Sequence, residues 1–313
     1  MTLPDDRALL DHQVLLYESL EHFLRVMVPF VKEGIDSGEV TFVAARGDYL
    51  PALREKLGEG ADKARFVDTF EWYPHPATRL RAFNELVRDE LAAGATRFRL
   101  AGEPVWPSDS PAQTREWQRY ESVLNSVLCP YPVSLMCLYD AGTLEPSILE
   151  TALRTRPTSS VDGTRLVSDE FSEADEFLLE WQHDLAPMPA SAITIPEVPD
   201  AATGRHFLED HAVSCGVGLE AAMDLSTAAN EILTNSFLYA TRPSLSAWVV
   251  GQHFVCQIED HGAGLLDPIA SYRPPSDAGQ NGRGLWMARQ LVDLLQIVGG
   301  PTGTIVRLHA RRI

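Results

Sequence analysis

The sequence predicts two domains of different class: an N-terminal α/β domain with a mainly parallel sheet, and a C-terminal α+β two-layer sandwich. Three observations carry this. The 313 residues are 45% apolar, enough for two cores of ordinary size. The first half alternates short apolar runs with longer amphipathic stretches, the rhythm of strands and covering helices. The second half groups its helical stretches and then its strands, two of them at hairpin spacing.

Along the first half the alternation reads VLLY, SLEHFLRVMVPFVKEGIDSG, EVTFVAA, DYLPALREKLG, ARFVDTF and ATRLRAFNELVRDELAAGA. It then passes to TRFRLAGE, PVSLMCLYD and LEPSILETALRT. Strands so separated pair in parallel, with helices on both faces. Residues 1–155 are taken as this domain. Residues 156–190 read as a joint, because RTRPTSSVDGTRLVSDE is polar and turn-rich. An acidic helix follows, with Phe171, Ala174, Leu178, Trp181 and Leu185 along one face and capping-box spacing between Ser172 and Asp175.

Residues 191–313 form the second domain. It starts with a short strand, AITIPEV, a helix over about 201–214 and a longer one over about 219–240. SLSAWVVG and HFVCQIED form the hairpin. RGLWMARQLVDLLQIVGG reads as a helix running into a strand, and GTIVRLHAR as the last strand.

The net charge is −18, and both halves carry excess acid. That argues against direct nucleic-acid binding, which relies on clustered Lys and Arg. A protein partner or small ligand suits this charge better. Four scattered cysteines without a CxxC pair fit reduced thiols. The start, MTLPDDRALLDHQ, lacks the features of a signal peptide, and no apolar run is long enough to span a membrane, so a cytoplasmic location without membrane attachment is expected.

Four short stretches can carry chemistry. Glu231 and Asn235, in ANEILTNSFLYA, lie one turn apart on one helix face. They are either a solvated polar pair or a proton acceptor beside an amide that can ligate Mg²⁺. Asp260, Gly262 and Gly264 end the second hairpin strand. DHGAG is either a tight turn or a place where a planar ligand approaches the backbone while the carboxylate accepts from an exocyclic amine. Gly282, Arg283 and Gly284 open a helix whose free N–H groups and positive dipole end suit phosphate, or serve as a plain glycine cap. Gly303 and Thr304 open the last strand and by themselves say little. The first half has neither GxxxxGK[ST] nor GxGxxG after any strand, so no phosphate cradle is expected there.

In order and spacing these stretches resemble the N, G1, G2 and G3 boxes of the GHKL (Bergerat) ATPase fold, shared by gyrase-type ATPases, histidine kinases and MutL. The resemblance covers roughly residues 190–313. GRGLWMARQLVDLL followed by GTIVRLH is similar to the anti-sigma-factor kinase branch typified by RsbW and SpoIIAB. The resemblance implies ATP and Mg²⁺ as cofactors. Asp260 would hold the adenine amine, with Gly262, Gly264 and Thr304 around it. Asn235 would ligate Mg²⁺, Glu231 would be the general base, and Gly282, Arg283 and Gly284 would cradle phosphates, with 265–281 as a short lid. The chain departs from the branch at Tyr239, where a histidine commonly precedes the alanine.

QHDLAP, with His183, superficially resembles a histidine-kinase phosphoacceptor box. Pro187 and Pro189 stop any helix there, so His183 is read as a surface residue. In the first half, DHQVLLYESLEHFLRVMVPFVKEGIDSGEVTFVAA and RFRLAGEPVW resemble the MEDS sensory domain of methanogen and methylotroph regulators. On that resemblance His12, Tyr17, Glu103 and Trp106 are expected to line a pocket for a small molecule; as core aromatics, Tyr17 and Trp106 have an equally simple packing role. Together the two resemblances imply a sensor-regulated anti-sigma factor with serine/threonine kinase activity toward a STAS-type antagonist. A sigma factor and the antagonist are the expected partners, and a homodimer the expected assembly. The alternatives are a catalytically silent module acting by sequestration, and a histidine kinase.

Overall fold

The computed structural model describes residues 10–71, 76–107, 110–182, 184–265, 267–273 and 283–313. The chain divides into two compact units, Met1–Asp109 with Trp117–Phe177, and Ser110–Glu116 with Leu178–Ile313.

The first unit begins with β1 (Leu10–Tyr17), α1 (Leu20–Asp36), β2 (Val40–Ala45), α2 (Leu50–Leu57), a 3-10 turn (Gly58–Lys63) and β3 (Arg65–Asp68). It continues with α3 (Pro76–Ala92), β4 (Phe98–Gly102), α4 (Pro111–Leu128, of which residues up to Glu116 group with the second unit), β5 (Val133–Asp140), α5 (Pro146–Arg154), β6 (Thr158–Val161) and β7 (Thr164–Val167). The strand order is β3-β2-β4-β5-β1-β6-β7, parallel except for the last pair. All eight residues of β5 are buried, as in a central strand covered on both faces. On one face Leu15, Tyr17, Met136 and Leu138 pack with Phe23, Met27 and Phe30 of α1. From the neighbouring strands β5 and β1 the chain departs in opposite directions along the sheet, so their carboxyl ends flank a topological switch point.

Two elements differ from the sequence reading. The polar stretch after residue 155 is not a joint: it forms the β6–β7 hairpin, with β6 paired to β1 and Asp162 and Gly163 at positive φ in the turn. All four residues of β7 are exposed, so no alternation marks it. Helix α4 is missing from the sequence reading although it buries Trp117, Tyr120, Val123, Leu124, Val127 and Leu128 at helical spacing; buried Glu116, Gln118, Arg119, Glu121 and Ser122 interrupt the apolar face and blur the pattern.

The acidic helix is α6 (Ala174–Glu180), and the division between units falls within it. It is shorter than the apolar spacing predicts: Ala174, Phe177 and Leu178 are buried, while Trp181 and Leu185 lie beyond its end. After it come β8 (Ile193–Ile195), α7 (Ala201–Ser214), α8 (Leu219–Tyr239), β9 (Ser244–Val250) and β10 (His253–Asp260). The chain closes with α9 (Arg283–Leu291), β11 (Leu294–Gly300) and β12 (Gly303–Arg311). The sheet order is β11-β12-β10-β9-β8, antiparallel throughout. Helices α7, α8 and α9 cover one face, through Leu208, Leu225, Ile232, Leu233 and Ala288 against Leu245, Phe254, Cys256, Ile258 and Leu308. This is the predicted two-layer sandwich. No helix among the described residues is long and apolar enough to cross a membrane.

Candidate functional site

In the second unit, the end of β10 meets the carboxyl-terminal half of α8. Asp260 is the last residue of β10 and pairs in register with Thr304 of β12. One of its carboxylate oxygens accepts from the Ser236 hydroxyl at 2.7 Å and the other from the Thr304 backbone N–H at 3.2 Å. Each carboxylate oxygen has a second lone pair, so an incoming amine can still be accepted. Ser236 was missed by the sequence reading. It follows Asn235 on a helix face that a four-residue spacing rule does not connect to Asp260, and only the packing of α8 onto β10 brings the two together.

Glu231 and Asn235 lie on α8, both partly buried. Gly284, in the first turn of α9, faces Glu231 so closely that a Cβ there would stand 2.7 Å from the Glu231 carboxylate oxygen. The start of α9 and the carboxylate of α8 are therefore neighbours, and any larger residue at 284 would displace Glu231. Arg283 is exposed as the first residue of α9, and Gly282 lies outside the described residues. The loop glycines serve the protein's own packing. At Gly262 a Cβ would meet that of Ala240 at 2.6 Å; at Gly264, where φ is +74°, it would meet the Gly300 carbonyl oxygen at 1.9 Å. The room they leave is thus filled by neighbouring backbone and by Ala240. Tyr239, at the departure from the family pattern, is 71% exposed. His183 lies outside the described residues.

Within the stretch expected to act as a lid, residues 267–273 are described, and Arg289 of α9 anchors them. Its guanidinium donates to the Ser271 hydroxyl at 3.1 and 2.8 Å and lies 3.9 Å over the Tyr272 ring. It also pairs with Glu116, in the Ser110–Glu116 stretch that groups with this unit, and Glu116 accepts from the Tyr272 hydroxyl at 3.1 Å. Arg289, Ser271, Tyr272 and Glu116 are all buried. Arg289→Met removes a buried cation from its carboxylate, so the unfolding free energy should fall by about 3–5 kcal/mol. Urea denaturation measures this, and a loss below about 1 kcal/mol would show that the pair carries little.

In the first unit the four residues expected to share a pocket fall on two faces. Along a strand successive side chains alternate, so His12 and Tyr17 of β1 point to opposite sides of the sheet. Tyr17 lies at the carboxyl end of β1, register partner of Asp140. Its hydroxyl donates to Glu103 at 2.7 Å, and the other Glu103 oxygen accepts from the Arg46 backbone N–H at 2.8 Å. Arg46 continues the network to Asp140 at 2.9 Å and to Asp48 at 2.8 Å. Burial raises the Glu103 pKa above the usual carboxylate range against the opposing pull of its hydrogen bonds. Burial and the Glu103 charge raise that of Tyr17.

His12 instead sits 1% exposed between Asn125 and Cys137. The Asn125 amide nitrogen donates to the Thr155 carbonyl at 2.9 Å, which turns the amide oxygen to His12 Nδ1 at 2.8 Å. Nδ1 therefore carries the proton, and Nε2 accepts from the Cys137 thiol at 3.2 Å. Burial first, and the nearby Arg156 charge second, lower the His12 pKa to about 3, against the raising effect of the Asn125 hydrogen bond. His309 is likewise lowered to about 4, mainly by burial. Between these values and about 6.5 the unfolded chain binds a proton that the folded chain does not, so stability rises with pH through that window and is complete above it. Lowering the pH from 7 to 5 should cost about 2 kcal/mol per histidine. Denaturant unfolding at both pH values tests this; His12→Asn should remove one histidine's share, and an unchanged pH dependence would refute the assignment. Trp106 lies on the same side as His12, its ring centroid 6.1 Å from Trp117 and 6.3 Å from Tyr139.

Comparison with known proteins agrees with both halves. Residues 11–157 match the MEDS family, the methanogen/methylotroph, DcmR sensory domain. Residues 196–310 match the histidine kinase-like ATPase domain. Among solved structures, the RsbU and RsbW domains of Rv1364c from Mycobacterium tuberculosis are similar at 22% identity over 41% of this chain and 33% of that one, with a TM-score of 0.30. The chain thus spans about a third of the length of that relative. The histidine kinase domain of the Erythrobacter litoralis EL346 blue-light activated histidine kinase is similar at 23% identity, covering 42% of this chain and 74% of that one, with a TM-score of 0.24. No curated protein matches the chain.

Proposed function

From a chain that joins a MEDS sensory domain to a histidine kinase-like ATPase domain, we propose a ligand-regulated anti-sigma factor that phosphorylates a serine or threonine of its antagonist with ATP. The observation that carries the nucleotide site is the position of Asp260, whose carboxylate is oriented by Ser236 and by the Thr304 backbone while retaining acceptor capacity. Such an acceptor at the end of a strand suits the exocyclic amine of adenine. Glu231 lies against the start of α9, where Arg283 and the helix N-terminal N–H groups suit phosphate.

The residues present fit Mg²⁺. That ion typically takes one or two protein oxygens and completes its shell with phosphate and water; Asn235, one turn from Glu231 on α8, would supply the protein oxygen. When bound, Mg²⁺ supplies charge neutralisation at the phosphates. Glu231 orients the attacking hydroxyl and takes its proton as general base. Asp260 selects adenine over guanine, whose carbonyl offers no hydrogen at the corresponding position. Arg289 positions the base of the lid through Ser271 and Tyr272.

The kinase reading over a histidine kinase is supported by GRGLWMARQLVDLL followed by GTIVRLH, and by the prolines at 187 and 189 after His183. The acidic chain suits the basic faces of a sigma factor. A homodimer through the ATPase domain is part of the proposal. The test is incubation of the full chain with Mg-ATP labelled at the γ-phosphate and candidate STAS-type antagonists. Acid-stable label on an antagonist serine or threonine is the expected result. Label confined to this chain and lost in acid would replace the proposal with a histidine kinase.

A further inference from the structure

Among the buried side-chain polar atoms of the first unit without a hydrogen-bond partner among the described residues are three donors around one group of rings: Trp106 Nε1, the Tyr120 hydroxyl and Arg156 Nε. They belong to one cluster. Trp106 packs on Trp117 and Tyr139, Trp117 meets Tyr120 edge-on at 5.4 Å, and the Arg156 guanidinium lies 5.3 Å from the Tyr139 ring. Tyr120 is 1% exposed and Arg156 0%. Unpartnered polar groups at this depth are rare in a native fold and call for a specific explanation.

The chemistry of the three is one-sided. An indole N–H and a guanidinium Nε–H only donate, and a phenol donates as readily as it accepts. What completes them must therefore be an acceptor. The nearest carboxylate, Glu121, is already engaged: it pairs with Arg156 and accepts from the Tyr139 hydroxyl at 2.9 Å. Burial raises the Tyr120 pKa most; the Arg79 and Arg156 charges act on its hydroxyl in the lowering direction, and the Cys137 thiol in the raising one. Positive potential, donors without acceptors and aromatic walls together describe a site for an anion with an apolar body.

We propose that this cluster, on the side of the sheet that also holds His12, is the ligand site of the N-terminal unit and takes a small organic carboxylate. The carboxylate accepts from Trp106 Nε1, the Tyr120 hydroxyl and Arg156 Nε, and its apolar part lies against the rings of Trp106, Trp117 and Tyr139. The inference rests on reading this unit as a sensor and names its ligand class. Tyr17 and Glu103, on the other side, satisfy each other and are outside this site.

The test is calorimetric titration of the full chain with sodium propionate and sodium benzoate, alongside propionamide, benzamide and propylammonium. Saturable binding of a carboxylate, at least tenfold tighter than that of its amide, is the expected result. Tyr120→Phe, which removes only the unpartnered hydroxyl, should weaken that binding at least tenfold without lowering the melting temperature, and Trp106→Phe should weaken it similarly. Carboxylate binding that neither variant alters would place the ligand elsewhere and overturn the proposal. Amide or ammonium binding that both variants abolish would keep the sensor reading and overturn the carboxylate assignment. Silence from every probe would remove both.

Discussion

Asp260→Asn should weaken ATP binding by at least about 100-fold. The carboxylate accepts from Ser236 on one side and from the Thr304 N–H on the other. An asparagine has one acceptor oxygen. The Thr304 N–H cannot reverse its polarity, so it claims that oxygen, and the new NH₂ turns toward Ser236, whose hydroxyl can rotate to accept. That NH₂ then presents a donor to the donor of adenine. Losing a charge-assisted hydrogen bond and gaining a donor facing a donor costs about 3 kcal/mol, a factor of more than 100. Ser236→Ala keeps the carboxylate and removes one of its supports, so about a tenfold loss is expected. Calorimetry measures both, with unchanged far-ultraviolet dichroism as the control for folding. Wild-type affinity in Asp260→Asn would mean that adenine is not held here.

Glu231→Gln separates chemistry from binding. The amide keeps the size of the side chain and its place against Gly284, but it cannot take a proton. ATP affinity should stay within about threefold, while phosphoryl transfer falls by roughly 10² to 10⁴, the usual contribution of a positioned general base. Single-turnover transfer to an antagonist is the measurement. If the wild type binds ATP and transfers nothing, the chain acts by sequestration and Glu231→Gln changes nothing. Tyr239 is exposed and stands where the anti-sigma kinase branch that the sequence resembles commonly has histidine, which favours testing for this outcome. An equal loss of affinity and rate in Glu231→Gln would instead give Glu231 a structural role.

The architecture was legible where burial has a period. The long helix α8 carries a helical period, the β9–β10 hairpin has its turn spacing, and the buried strand β5 is a short apolar run bounded by turn residues. Elements whose apolar face is missing or interrupted were not read. Strand β7 is exposed throughout and leaves no hydrophobic trace, while α4 mixes buried Gln118, Glu121 and Ser122 among Trp117, Tyr120, Val123 and Leu124, which blurs its apolar period. The site residues divide the same way. Glu231 and Asn235 could be placed on one face because a helix has a fixed period. Ser236 and Arg289 could not be recognised, because their partners lie 24 residues away at Asp260 and 18 away at Ser271.

By itself the sequence determined the two fold classes and the residue types able to meet a nucleotide, since periodicity and side-chain chemistry are local properties; the ordering of those residues into ATPase boxes rested on resemblance. Tertiary structure alone decided which of them meet. The packing of α8 onto β10 gave Asp260 its second support, and the contact between α8 and α9 set Gly284 against Glu231. The alternation of β1 sent His12 and Tyr17 to opposite faces, where four residues had been expected in one pocket. That separation was implicit in the strand's period, but the partners on each face came from elements far along the chain. His12 was thereby made a neutral core residue, and Tyr120 and Arg156, which no motif marks, were left as buried donors beside Trp106.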